Sequence, residues 1–180
     1  SELQGKRLIR QIPLYAKLNV DGIMPCGDLG TSAGLMASPE LYRSMVYPWN
    51  KAHVAQAHKY GLKVLKHCCG HVWPVINELA EVYDAYEGIQ ATGGMDIGDL
   101  KDAVGDQICL WGGIWHEHII GSDEAQIRAD ARYAFSRAAP GGGYIMGSSH
   151  SLAVGAKAAN ILEMKRLRDE WGGYPISATT

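Results

Sequence analysis

The sequence predicts an α/β protein with a parallel sheet, on three grounds. Short apolar runs alternate with longer amphipathic stretches throughout the 180 residues. Glycine is frequent, with 22 residues, and glycines stand at the corners between the runs. Apolar residues make up 47% of the chain and charged residues only 20%, which is enough for a folded core. Because each helix must carry the chain back past the sheet, this alternation indicates parallel strands.

The first helix and the first strand are predicted from the apolar pattern. A helix is predicted over residues 3–18, because its apolar residues recur at helical spacing and form one stripe. Pro13 is a weak point in this helix. A strand is predicted over 20–26, and it leads into the Gly-rich loop of residues 27–34.

A strong helix start follows at Ser38-Pro39-Glu40. It combines a capping hydroxyl, a proline at the first helical position and an acid at the positive end of the helix dipole. We therefore predict one continuous helix from this point to about residue 60, ended by Gly61. The rest of the chain repeats the alternation, with strands over 62–67, 85–90, 107–111 and 144–147 and helices over about 72–82, 97–103, 122–140 and 155–170.

Composition and charge limit the function classes. Lys and Arg number 17 against 19 Asp and Glu, and this balance, with a pI of about 6.4, argues against a nucleic-acid-binding protein. No apolar run approaches the roughly 18–20 residues that span a bilayer, and residues 1–11 lack the apolar core of a secretory leader. We therefore expect one domain over residues 1–180, cytoplasmic, with its four cysteines reduced.

Five predicted strands leave the architecture open. They would complete an open doubly wound sheet, but they are too few for a closed eight-stranded barrel, and periodicity does not separate these folds. In either fold the carboxyl ends of the strands carry the chemistry. The polar residues that follow the predicted strands are Asp28, His67, Cys69, Gln90, His116 and His150. Glu117 and His118 are expected in a solvated loop.

His67 and Cys69 form the sharpest pair. Residues two apart in a strand point to the same side, so the imidazole and the thiol can converge on one metal ion. Zinc accepts both ligand types, and a catalytic zinc site uses three protein ligands and one open position. In the structural alternative, Cys69 is a buried turn residue before Gly70, and His67 is a hydrogen-bonded lining residue.

Several segments occur in an order that suggests a family. They are Gly27-Asp28-Leu29-Gly30, Ser38-Pro39-Glu40-Leu41-Tyr42, His67-Cys68-Cys69-Gly70, Leu110-Trp111-Gly112-Gly113-Ile114, and Gly142-Gly143-Tyr144-Ile145 followed by Ser149-His150. Each segment is weak alone, but the ordered set resembles the uroporphyrinogen decarboxylase superfamily. The resemblance implies a (β/α)8 TIM-type barrel of which this chain supplies the C-terminal five β/α units. The first three strands would then be absent from this chain, and either a missing N-terminal half or a homo-oligomer would cover the open interior.

Two chemistries come with the resemblance. Decarboxylases of the superfamily act on the acetate arms of uroporphyrinogen without a cofactor, whereas methyltransferases pass a methyl group between a small molecule and a corrinoid. Some methyltransferases hold zinc through a His-x-Cys pair and a later Cys. In this chain the later position falls at Ser148-Ser149-His150, where His150 can substitute for the missing thiol.

The resemblance favours a methyltransferase-type member that acts on a small-molecule substrate together with a corrinoid protein, with zinc as a cofactor of the site. The alternatives are a uroporphyrinogen decarboxylase of porphyrin biosynthesis, which needs no cofactor, and an inactive fragment or assembly module. The residues are assigned as follows: catalysis to Asp28, His67 and His150, substrate binding to Gln90 and His116, and metal binding to His67 and Cys69.

Overall fold

The computed structural model describes residues 2–176 and places helices against one parallel sheet. The helices are α1 (Glu2–Ala16), α2 (Pro39–Met45), α3 (Tyr47–Lys59), α4 (Ile76–Val82), α5 (Ile97–Val104), α6 (His116–Gly121), α7 (Glu124–Arg137) and α8 (Ala158–Trp171). The strands are β1 (Gly22–Ile23), β2 (Gly30–Thr31), β3 (Gly34–Leu35), β4 (Lys63–His67), β5 (Ala85–Glu87), β6 (Cys109–Ile114) and β7 (Tyr144–Ser148). None of the helices in this part of the chain has the length and apolar character needed to cross a membrane.

The order of the strands decides between the two predicted architectures. Five strands form one sheet in the order β1-β4-β5-β6-β7, and every neighbouring pair is parallel. The strands thus follow their order along the chain, as in a (β/α)8 barrel, whereas a doubly wound sheet reverses its direction at a switch point. Over residues 2–176 the sheet stays open, with β1 and β7 at its edges, and corresponds to a partial TIM-type barrel. The predicted α/β class is confirmed.

The register of the sheet aligns polar residues at the carboxyl ends of the strands. His67 pairs with Glu87 across β4 and β5, and an isolated bridge pairs Cys26 with His67. Residues paired in this way point to the same face, and residues two apart along a strand share that face. Asp28 and Cys69, each two positions further along the chain, are therefore next to this row at the rim of the sheet.

The core lies between the sheet and the helices. Val64, Tyr86 and Leu110 point from three neighbouring strands toward the helices and are fully buried. The opposite face of the sheet is the side that a closed barrel would enclose, and it is partly open here. Met24 is 44% exposed, and Ile145 is 40% exposed. The rim residues described below stand at one end of this open face.

The continuous helix predicted from residue 38 to 60 is wrong, because the structure divides it into α2 and α3. Ser38 caps α2 as predicted, and its Oγ accepts a hydrogen bond from Leu41 N at 3.2 Å. The break falls at Val46 and follows from Pro48, which has no N–H to donate to the preceding turn and lies in the first turn of α3.

Two predicted strands are shorter than the sequence indicates. The strand predicted over 20–26 is reduced to β1 and the bridge at Cys26, because Pro25 cannot donate to a strand ladder. Part of the Gly-rich loop that follows forms the antiparallel hairpin of β2 and β3. Strand β5 ends at Glu87 instead of residue 90, because Gly88 turns the chain with a φ of +89°.

The segment around Glu117 and His118 is helix α6, and the prediction of a solvated loop is wrong. His118 Nδ1 lies 2.7 Å from Oδ2 of Asp130, which is buried and also accepts a hydrogen bond from Trp115 N at 3.1 Å. These contacts tie α6 to α7. Because they are long-range, they are invisible in the local sequence pattern.

Candidate functional site

Asp28, His67 and Cys69 converge at the carboxyl rim of the sheet. The Sγ of Cys69 lies 3.4 Å from Nε2 of His67, and Oδ1 of Asp28 lies 3.8 Å from the same nitrogen. One ligand atom from each of the three residues lies within 4.8 Å of the other two. The structure therefore brings the predicted His67–Cys69 pair together and places Asp28 beside it.

The loop after β1 is held against the turn after β4, which is why Asp28 reaches the pair. Asp28 Oδ1 accepts a hydrogen bond from Cys69 N at 2.9 Å, and the buried Lys66 ammonium donates to Gly27 O at 2.6 Å. Gly70 has a φ of +81°, and a Cβ at this position would lie 2.5 Å from the Gly30 carbonyl carbon. Only glycine permits both this backbone conformation and this close approach.

Glu87 lies behind His67 and was missed at the sequence level. Its carboxylate makes a short contact with Nδ1 of His67, and the side chain is nearly buried. A carboxylate in this position favours a proton on Nδ1 and leaves Nε2 free to face Cys69 and Asp28, the arrangement that orients metal-bound histidines. The available signal was a lone acid in the apolar strand predicted over 85–90.

The electrostatics of the cluster favour a cation. Burial, followed by the nearby carboxylates of Asp28 and Glu87, raises the pKa of the Cys69 thiol to about 12. The surroundings therefore keep the thiol neutral. A divalent cation at this point would reverse the balance, because it stabilises a thiolate and carboxylates together.

The donor set fits zinc. It offers one imidazole nitrogen, one thiol sulfur and one carboxylate oxygen, each of which is a zinc ligand, and three ligands leave one position open. Two ligands of a tetrahedral zinc ion are about 3.3–3.6 Å apart, given zinc–ligand distances of roughly 2.0–2.3 Å. The separations of 3.4 Å and 3.8 Å are close to these values.

His150 and His116 lie at the same rim, beside the three candidate metal ligands. The ring centroid of His150 lies 6.3 Å from that of His67 and 5.4 Å from that of His116. His150 does not belong to the set of three convergent ligands. The rim thus carries three imidazoles in sequence, from His67 through His150 to His116.

Gln90 lies at the same rim and makes a hydrogen bond to the turn that carries Cys69. Its Oε1 accepts a hydrogen bond from Gly70 N at 3.1 Å, and its Nε2 donates to Oγ1 of Thr92 at 3.1 Å. Both ends of the amide are therefore engaged with the protein. Its predicted contact with substrate stays a prediction.

The fold and the rim cluster define a TIM-type barrel protein with a candidate metal site at the end of the sheet where barrel enzymes carry their chemistry. The family model described as uroporphyrinogen decarboxylase (URO-D) matches residues 13–171. The chain therefore belongs to this family, and the resemblance of its loop segments is confirmed. Among curated proteins, none matches the sequence.

The solved structures that match the chain include a methyltransferase and an aldolase. A methyltransferase from Methanosarcina mazei has 16% sequence identity and a TM-score of 0.77, over 94% of this chain and 48% of that one. The chain thus spans about half the length of this neighbour, and the likeness shows the fold. A phospho-2-dehydro-3-deoxyheptonate aldolase (DAHP synthase) from Thermotoga maritima has 13% identity, with 93% of this chain and 67% of that one covered. Its TM-score of 0.34 is too low to support a conclusion.

Proposed function

We propose that this chain forms the metal-binding part of a URO-D-family methyltransferase, which passes a methyl group between a small molecule and a corrinoid protein. The convergence of Asp28, His67 and Cys69, with Glu87 behind the imidazole, is the observation that carries this proposal. The fold likeness to a methyltransferase supports the same class. A cofactor-free decarboxylase has no need of a clustered thiol, imidazole and carboxylate.

Each residue of the cluster has a separate task in this proposal. His67, Cys69 and Asp28 would hold a zinc ion, which supplies Lewis-acid activation of a bound thiol or water. Glu87 fixes the orientation of His67. Gln90 holds the turn that carries Cys69, through Gly70 N.

His150 completes the proposed site as a residue that contacts the substrate. It lies beside His67, outside the convergent ligand set, and its Nδ1 lies 3.3 Å from Ser151 O. An imidazole in this position can exchange a proton with a bound small molecule.

Zinc content tests the metal part of the proposal. The purified chain is analysed for zinc, and Cys69→Ser is compared with Cys109→Ser. Cys109 is a matched control, because its side chain lies on the same face of the sheet as those of His67 and Glu87. It stands at the start of β6, away from the rim. We expect one zinc per chain in the unaltered protein and in Cys109→Ser, and its loss in Cys69→Ser. Zinc retained at full stoichiometry in Cys69→Ser would contradict the proposal.

A spectroscopic assay on the full-length protein tests the reaction. The expected result is methylation of a reduced corrinoid protein by a methylated amine, methanol or a methoxyaromatic, seen as a change in the visible spectrum. The same preparation is offered uroporphyrinogen. Decarboxylation of uroporphyrinogen without corrinoid methylation would refute the methyltransferase proposal and support the decarboxylase alternative.

A further inference from the structure

A hydrogen-bonded chain runs from the turn that carries Cys69 to helix α6. Beyond Gln90, the Oγ1 of Thr92 donates to Oε1 of Glu117 at 3.0 Å. Glu117 is thereby joined, through Thr92 and Gln90, to the backbone of Gly70. Neither Thr92 nor Glu117 has a task in the function proposed above.

The imidazole of His116 lies beside Glu117, at the end of this chain, and one of its nitrogens is unsatisfied. Its Nδ1 is buried and makes no hydrogen bond within the described residues, although it lies 3.4 Å from Oε1 of Glu117. The backbone N of His116 donates to Oγ of Ser149 at 3.0 Å, which fixes the start of α6 against the end of β7. Nε2 is not among the buried atoms without a partner, and the ring centroid of His116 lies 5.4 Å from that of His150.

Glu117 places a negative charge beside the imidazole of His116. Burial alone would raise the pKa of Glu117, but hydrogen bonds from its own backbone and from Thr92, together with His116, lower it overall. The groups that face His116 are Glu117 from α6 and His150 from the loop after β7. A carboxylate beside Nδ1 favours the Nδ1–H tautomer and stabilises the imidazolium, as in catalytic carboxylate–histidine pairs. Such contacts are often long before substrate binds and shorten afterwards.

We infer that His116 is a second proton carrier of the site, separate from the metal cluster, and that Glu117 is its positioning residue. The inference rests on the proposed function, because it assumes that a small molecule binds at this rim. Nε2 of neutral His116 accepts a proton from a thiol or amine of the bound molecule, and the electron pair of the broken bond stays on that molecule. The reverse transfer returns the proton from the imidazolium to a leaving group.

Nitrogen-15 NMR of the histidine rings tests this inference without an activity assay. At mildly alkaline pH we expect His116 as the Nδ1–H tautomer in the unaltered chain and a shift toward Nε2–H in Glu117→Gln. Glu124→Gln is the matched control, since this acid lies in the first turn of the neighbouring helix α7. A His116 that is Nε2–H in the unaltered chain, or unchanged in Glu117→Gln, would overturn the inference.

Zinc content and kinetics separate this inference from the proposed function. His116→Asn and Glu117→Gln should keep the zinc content of the unaltered chain. In the full-length enzyme, His116→Asn should lower kcat by about 10²–10⁴-fold with little change in KM, as for loss of a general acid or base. A chain with zinc but without the tautomer shift refutes the His116–Glu117 pair alone. A chain without zinc that shows the shift supports the pair and refutes the metal site.

Discussion

Replacing Glu87 by Gln tests how the protein orients its metal-candidate histidine. Glu87 is 9% exposed, and its contact with His67 Nδ1 is the one side-chain hydrogen bond that it makes within residues 2–176. The substitution keeps the size of the side chain and removes its charge. Loss of a carboxylate behind a metal-bound histidine lowers metal affinity by about 10–100-fold. That change corresponds to about 1.4–2.8 kcal/mol of binding free energy.

The assay is a competitive zinc titration against a chromophoric chelator. Glu87→Gln is compared with the unaltered chain and with Glu124→Gln, whose acid lies at the start of α7, away from the cluster. Circular dichroism confirms that each variant is folded. If Glu87→Gln binds zinc as tightly as the unaltered chain, Glu87 does not orient a metal ligand and the proposed role is refuted.

Three further predictions follow from single contacts. Because the Cys69 pKa is raised to about 12, zinc must displace the thiol proton, and the apparent affinity should rise about tenfold per pH unit near neutrality; a pH-independent affinity would contradict this. Gly113→Ala should destabilise the fold by about 1–3 kcal/mol in urea unfolding, because Gly113 has a φ of +99° and its Cβ would lie 2.6 Å from that of Ala134. Asn160→Leu should cost about 1–3 kcal/mol in the same assay, because buried Nδ2 of Asn160 donates to three carbonyls at the end of α6. Unchanged unfolding midpoints would refute either stability prediction.

Local patterns were sufficient for most of the fold and for the first pair of the site. The alternation of apolar runs identified the parallel sheet, and a period of two placed Cys69 on the same side of the chain as His67, the last residue of β4. The capping signal at Ser38 was also correct. These features depend on a few neighbouring residues, so a single sequence contains them.

The rest of the site depends on register and on contacts between distant segments. Asp28 was identified as a strand-end acid, but its position beside Cys69 requires the loop after β1 to pack on the turn after β4. Glu87 was missed because its link to His67 follows from the pairing of β4 with β5. His118 was assigned to a loop because its partner, Asp130, is on another helix. The local periodicity of the sequence predicts none of these contacts.

X-ray absorption at the zinc K-edge of the purified chain reports the ligands of a bound ion directly. We expect one sulfur at about 2.3 Å and nitrogen or oxygen ligands at about 2.0–2.2 Å, with the sulfur lost in Cys69→Ser and retained in Cys109→Ser. A spectrum with only nitrogen and oxygen ligands, or with two or more sulfurs, would contradict the binding of one zinc ion by Asp28, His67 and Cys69.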